Sequence, residues 1–276
     1  MKPLAALIMI VACACVSANP VVYENTWTEK YSLTSATPTL VIENIWGDVK
    51  VKAGAGNEFV ITVHERRSAE NQTLLDESRT LIPLSVQADS EAVTIIVGER
   101  DTVNKRRRNQ CRNCRAEYNF DVQVPADAKI DVSTVVDGEV VVEGVHNVAK
   151  AANVNGPIVL NNIQRCEFIK SINRSVEILF ARSPDRDCDI DTINGDMTIV
   201  LPDKADLNAQ FKINNGTIKS DFEFEPLLSA PTVDQYQHNG RNVYRIEKNN
   251  AVRIGGGGST LSFISLNGDV QLRKTK

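Results

Sequence analysis

Residues 154–160 read VNGPIVL and residues 193–199 read INGDMTI: an aliphatic residue, Asn-Gly, then apolar side chains at alternate positions. The same unit recurs as IWGDVKV at 45–51, VDGEVVV at 136–142, INRSVEI at 172–178, NNGTIKS at 214–220 and LNGDVQL at 266–272. Counting from the glycine (Arg174 in the 172–178 copy), the residues two and four places on are apolar in every copy except at Ser220. Alternation with period two, bounded by Asn-Gly or Asp-Gly, is the pattern of short strands leaving tight turns.

The middle copies are spaced regularly, from Gly138 to Gly156, Arg174, Gly195 and Gly216. Roughly 18–21 residues of extended chain at ~3.3 Å each trace a loop of about 60–70 Å, a reasonable circumference for one coil of a β-solenoid. In such a coil each strand pairs with the same strand one coil on, its apolar residues point into a shared interior, and the glycine occupies a corner, where positive φ costs it little. An antiparallel β-meander or sandwich is the competing architecture, because Asn-Gly is also the strongest hairpin signal and two strands with their turns give a similar period. The retention of one register and one corner chemistry over consecutive copies favours the solenoid. Either way the fold class is all-β. Helical periodicity is confined to SAENQTLLDESRT at 68–80, with Ser68 as the expected cap and Leu74 and Leu75 as core contacts.

The chain has 276 residues and a net charge of −4. Its start carries the features of a secretory signal peptide over residues 1–18: Lys2, an apolar run from Leu4 to Val16, and the small-residue end Val16-Ser17-Ala18. Ile10-Val11-Ala12-Cys13 also fits a lipobox, which would place a lipid anchor on Cys13. Both readings predict export to the periplasm or cell envelope. No later stretch has the ~20 apolar residues of a membrane helix. The expected organisation is a signal peptide at 1–18, a lead segment at 19–37 and one solenoid domain at 38–276. That domain divides into an irregular first part (38–117), regular coils (118–221), an excursion (222–250) and closing strands (251–276).

Beyond the signal peptide four cysteines remain, an even number that leans towards disulfides in an oxidising compartment. Cys166 lies eight residues before the Arg174 corner and Cys188 seven before Gly195, so adjacent coils bring them together as a staple. Cys111 and Cys114 then form a local bond. A Cys₄ zinc site lacks its second Cys-x-x-Cys, and a redox pair lacks a βαβ setting. No metal or cofactor is expected. The segment KRRRNQCRNCR at 105–115 sets Lys105, Arg106, Arg107, Arg108, Arg112 and Arg115 against an acidic remainder. It forms a projecting loop and a patch for an anionic partner. The acidity of the rest argues against nucleic acid.

Asp48, Asp196 and Asp269 follow corner glycines, and Glu139 fills the same slot. Stacked carboxylates suit glycoside cleavage, but Asn, Asp and Gly are also what tight corners require. DRDCDID at 185–191 begins like a calcium loop yet has Thr192 and Thr198 where the loop needs Gly and Glu. Gly255–Ser259 lacks the Lys and helix of a phosphate loop and reads as a turn or bulge. His64, His146 and His238 are scattered.

With its exported start, NGD-type corners, the strand-plus-proline pairs FDVQVPADAKIDV and MTIVLPDKADLNA, and the ending VRIGGGGSTLSFISLNGDVQL, the sequence resembles the bacterial putative-adhesin family of unknown function. The likeness runs over roughly residues 38–276. It implies an exported β-solenoid similar in fold to adhesin heads, non-enzymatic, acting as a structural or binding module on an envelope polymer, glycan or protein. The excursion, the Arg174 corner and the basic Cys segment depart from the pattern. An envelope-stress sensor and a polysaccharide-active enzyme are the alternative functions.

Overall fold

A computed structural model describes residues 20–98, 114–227, 232–238, 241–247 and 250–275. Among the described residues the fold is all-β with one helix. Its first part runs β1 (Val21–Ser32), β2 (Thr39–Glu43), β3 (Val49–Ala53), β4 (Glu58–Ala69), α1 (Gln72–Leu81), β5 (Leu84–Ala88) and β6 (Ala92–Val97). There follow β7 (Arg115–Val124), β8 (Lys129–Thr134), β9 (Val140–Glu143), β10 (Asn147–Asn153), β11 (Ile158–Ile163), β12 (Arg165–Ser171), β13 (Val176–Phe180), β14 (Cys188–Asn194) and β15 (Met197–Leu201). The remainder is β16 (Leu207–Asn215), β17 (Ile218–Ser220), β18 (Glu225–Pro226), β19 (Thr232–His238), β20 (Arg241–Glu247), β21 (Asn250–Ile254), β22 (Thr260–Asn267) and β23 (Val270–Lys274).

Two large mixed sheets hold nearly all of these strands. One has the order β1-β4-β7-β3-β9-β11-β13-β15-β23-β17, the other β18-β21-β16-β22-β14-β12-β10-β8-β2-β6-β5. Each repeat gives one strand to each sheet, turning at its corner, and the repeats follow the same order in both: β2/β3, β8/β9, β10/β11, β12/β13, β14/β15, β22/β23, β16/β17. Neighbouring repeats pair in parallel, Ile158 with Val140 and Val176, Ile190 with Ile169 and Phe263. Buried side chains from both sheets form one contiguous core. The positions two and four past the corner are buried in six repeats, from Val49 and Val51 to Val270 and Leu272. Ile218 is 41% exposed, because β17 is the edge strand and has no neighbour beyond it.

Antiparallel elements finish both ends. β1, β4 and β7 extend the first sheet, with Tyr118-Asn119-Phe120 lying in β7 opposite Glu65, His64 and Val63 of β4. At the far end Phe224 packs on Phe211, which in turn stacks on Phe263 at 5.2 Å. The helix starts later than the sequence suggests. β4 runs through Ala69, so Ser68 is extended and the cap is Asn71, whose side chain accepts from the Leu74 N–H at 2.9 Å.

A buried ionic cluster fastens α1 to the sheet. Arg67 and Glu65 of β4 are 2% and 9% exposed and paired to each other, and the Tyr118 hydroxyl donates to Glu65 at 3.0 Å. Arg67 also donates to the Ser78 and Ile82 carbonyls, at 2.8 and 3.0 Å, satisfying the open C-terminal end of the helix. Burial pushes the Tyr118 phenol up to about 12.

Candidate functional site

A tight corner turns carbonyl oxygens inwards, where an unpaired acceptor is costly. The sequence answers with a polar side chain three or four residues before six of the seven corners, Gly216 with Ile213 being the exception. Asn44 donates to the carbonyls of Gly47 and Tyr118 at 3.1 and 2.8 Å, Thr134 to Gly47 at 2.9 Å, and Asn153 to Gly138 at 2.9 Å. Ser171 donates to Arg174 at 2.7 Å, Thr192 to Gly195 at 3.1 Å, and Ser265 to Gly268 at 3.4 Å. All six are buried and aligned from repeat to repeat. Sequence reading followed the apolar positions after the corner and passed over this row. Its signal was there: a Ser, Thr or Asn at a nearly fixed distance before the glycine.

The corner glycines serve close approach. Gly47 and Gly268 have the expected positive φ, whereas Gly138, Gly156, Gly195 and Gly216 do not. A Cβ on Gly156 would lie 1.6 Å from the Gly138 carbonyl oxygen, and one on Gly195 would lie 2.2 Å from that of Arg174. Backbone stacks on backbone here, and a side chain does not fit between.

Two further rows face solvent. Just before the corner, asparagine amides bond in a ladder: Asn173 donates to Asn155, Asn194 to Asn173, Asn267 to Asn194 and Asn215 to Asn267, at 2.8–3.2 Å. Just after it stand the acids. Asp48 accepts from the Glu139 N–H at 3.0 Å, Asp196 from the Asp269 N–H and Asp269 from the Thr217 N–H, both at 2.8 Å. Lys50 bridges Asp48 and Glu139 at 3.1 and 3.0 Å, and its ammonium pKa is raised by the hydrogen bond to Glu139 and then by that to Asp48. The Thr217 N–H, with Lys219 beside it, holds the Asp269 carboxyl below the usual range.

Among the described residues, two shallow grooves stand out on the outer faces. One, of about 320 Å³, lies on the first sheet among Lys50, Lys52, Thr62, Asp121, Gln123 and Glu143. The other, of about 250 Å³, lies on the second sheet among Lys170, Asp191, Lys212, Ile193, Ile264 and Leu266, whose three aliphatic side chains are 37–44% exposed. Burial pushes the Asp191 carboxyl up, against the pull of Lys170.

The expected staple is present: Cys166 and Cys188 form a disulfide between adjacent repeats, with Cα atoms 5.3 Å apart, inside the core. Cys114 packs near Ala69, Leu75 and Tyr23. The bond proposed for it lies outside the described residues with Cys111, as do Lys105, Arg106, Arg107, Arg108 and Arg112. Arg115 opens β7 and pairs with Glu117 at 3.2 Å and Asp137 at 3.6 Å.

The acids of 185–191 disperse. Asp185 pairs with Arg165 and Arg182, Asp187 accepts from the Thr260 N–H at 2.7 Å, and Asp191 faces its groove. Gly255–Ser259 turns over Asp206, whose carboxylate accepts the Gly256 N–H at 2.6 Å, so the loop's own chain supplies the anion. His64 contacts Thr26 and Asp121, and His146 contacts Asp127, all on the surface. No helix among the described residues is long and apolar enough to cross a membrane.

No family model matches the chain, and no curated protein does. Solved structures align over most of its length at 8% identity. A putative cell adhesion protein from Clostridium sporogenes covers 91% of this chain and 100% of its own, with a TM-score of 0.45. A putative adhesin from Bacteroides fragilis covers 91% and 97%, with a TM-score of 0.31. A putative lipid binding protein from Parabacteroides distasonis covers 90% and 96%, with a TM-score of 0.33.

Proposed function

We propose that this chain is an exported, non-enzymatic module of the cell envelope. In this reading its repeats form a solenoid and its faces dock an envelope polymer, a glycan or another protein. The observation that carries it is the use made of the corner acids. Asp48, Asp196 and Asp269, the carboxylates best placed for glycoside chemistry, each accept a backbone N–H from the neighbouring repeat. They hold adjoining layers together, and none of the three lines either groove, although Lys50 on the first groove pairs with Asp48. The core disulfide supports an oxidising compartment. A start processed at 1–18, or lipidated at Cys13, supplies the route of export. The basic segment from Lys105 to Arg115 adds attraction for an anionic ligand.

Glycan arrays and pull-downs with the exported protein test this. Saturable capture of one partner is expected, weakened by R106E/R107E/R108E without loss of the folded signal in circular dichroism. Turnover of a glycan, or no capture on either platform, overturns it.

A further inference from the structure

The last strands of the chain do not lie at the end of the stack. β22 pairs in parallel with both β14 and β16, and β23 with both β15 and β17. Residues 260–274 therefore fill a slot one layer thick between two repeats that precede them in sequence. With layers ~4.8 Å apart, the 202–206 connection crosses about 10 Å, leaving room for a strand pair that comes later.

Both walls of the slot match that pair. Thr192 meets Ser265 at 3.3 Å, and Asn267 joins Asn194 to Asn215 in the amide ladder. Asp269 donates its N–H to Asp196 and accepts the Thr217 N–H. Phe263 stacks on Phe211. If β16 closed directly on β14, the register would set Ile213 in place of Ser265 against Thr192, and the hydroxyl pair and the ring stack would both be lost.

We propose that the slot is a docking surface between copies of this chain: residues 260–274 of one molecule, β22 and β23, enter the slot of a second. None of the bonds above depends on the donor and the walls belonging to one molecule. The donor is separated from β17 in sequence by residues 221–259, so it enters as a late, tethered piece. A copy whose donor is withdrawn exposes two unpaired strand edges in each sheet, and these recruit strands of matching pattern. The tether sets the balance. Exchange overtakes closure within one molecule as protein concentration approaches the effective concentration of the tethered donor, on the order of millimolar.

Thr198 of β15 and Gln271 of β23 are register partners on the outer face, which gives a direct test with full-length chains. T198C and Q271C chains are unfolded together, refolded under oxidising conditions over a range of concentrations, and the linkages mapped by mass spectrometry. A dimer joined between positions 198 and 271 is expected, its yield rising on the order of tenfold from micromolar towards millimolar protein. A T198C/Q271C chain reports closure within one molecule. If that chain closes internally while the mixture yields no 198–271 dimer at any concentration, the proposal is overturned; failure of the double variant to close removes the register on which it rests.

Discussion

The repeat stack and the block of β1, β4, β7 and α1 are both buried on one side and solvated on the other, but they are held differently. In the stack the bonds recur: an inward hydroxyl or amide and two core aliphatics in six repeats, and a rung of the amide ladder in five. In the block a single unrepeated cluster, Arg67 with Glu65, Tyr118 and two helix carbonyls, fixes α1. Distributed bonding makes each residue nearly dispensable, whereas concentrated bonding makes a few of them indispensable.

That contrast predicts a ranking. R67M should cost most, about 3–5 kcal/mol, since it strands the Glu65 carboxylate in the interior and removes the Arg67 donor from the Ile82 carbonyl. Urea unfolding followed by circular dichroism measures it, and an R67M loss no greater than that of a ladder variant would erase the distinction. G156A comes next, at roughly 2–3 kcal/mol, because the new methyl meets the Gly138 carbonyl and backbone must move. The same melt should show it exceeding any exposed substitution in the stack.

T192V removes one inward donor and should cost about 1 kcal/mol by the same measurement. Smallest is the acid response of Asp269. Its carboxyl titrates below the ordinary range in the folded chain, so its contribution is present above the unfolded value, about pH 4, and is lost as pH falls through the folded one. D269N should flatten that part of the acid limb by lowering the unfolding midpoint slightly at neutral pH and leaving it nearly unchanged at the acid end. An identical acid limb in both proteins would show that the Thr217 contact has no energetic weight.

The same contrast sets what could be read in advance. Repetition amplifies a weak signal, so the corners, the buried alternation and the Cys166–Cys188 staple emerged from spacing alone. The Arg67 cluster occurs once, and its members, 51 residues apart at Arg67 and Tyr118, carry no local mark of burial. Repetition also hides order. Gly216 and Gly268 both open strands after Gly195, and the order in which they stack rests on few residues: Ser265 and Phe263 against Ile213, and Leu272 against Ser220. Ser68 was misjudged as a cap because β4 is longer than its alternation suggests, its partners β1 and β7 being remote in sequence.

The amide ladder has a chemical lifetime as well as a geometry. Four of its members, Asn155, Asn194, Asn215 and Asn267, precede glycine, where attack of the next backbone nitrogen on the side-chain amide is least hindered. Bonding of each amide to its neighbour restrains that attack while the layers stay closed. A rung that converts to aspartate replaces a donor by a negative charge, facing an acceptor and lying beside the acidic row. Ageing at one corner would thereby loosen the adjoining layer and expose the next asparagine, so that wear spreads along the edge from wherever it begins.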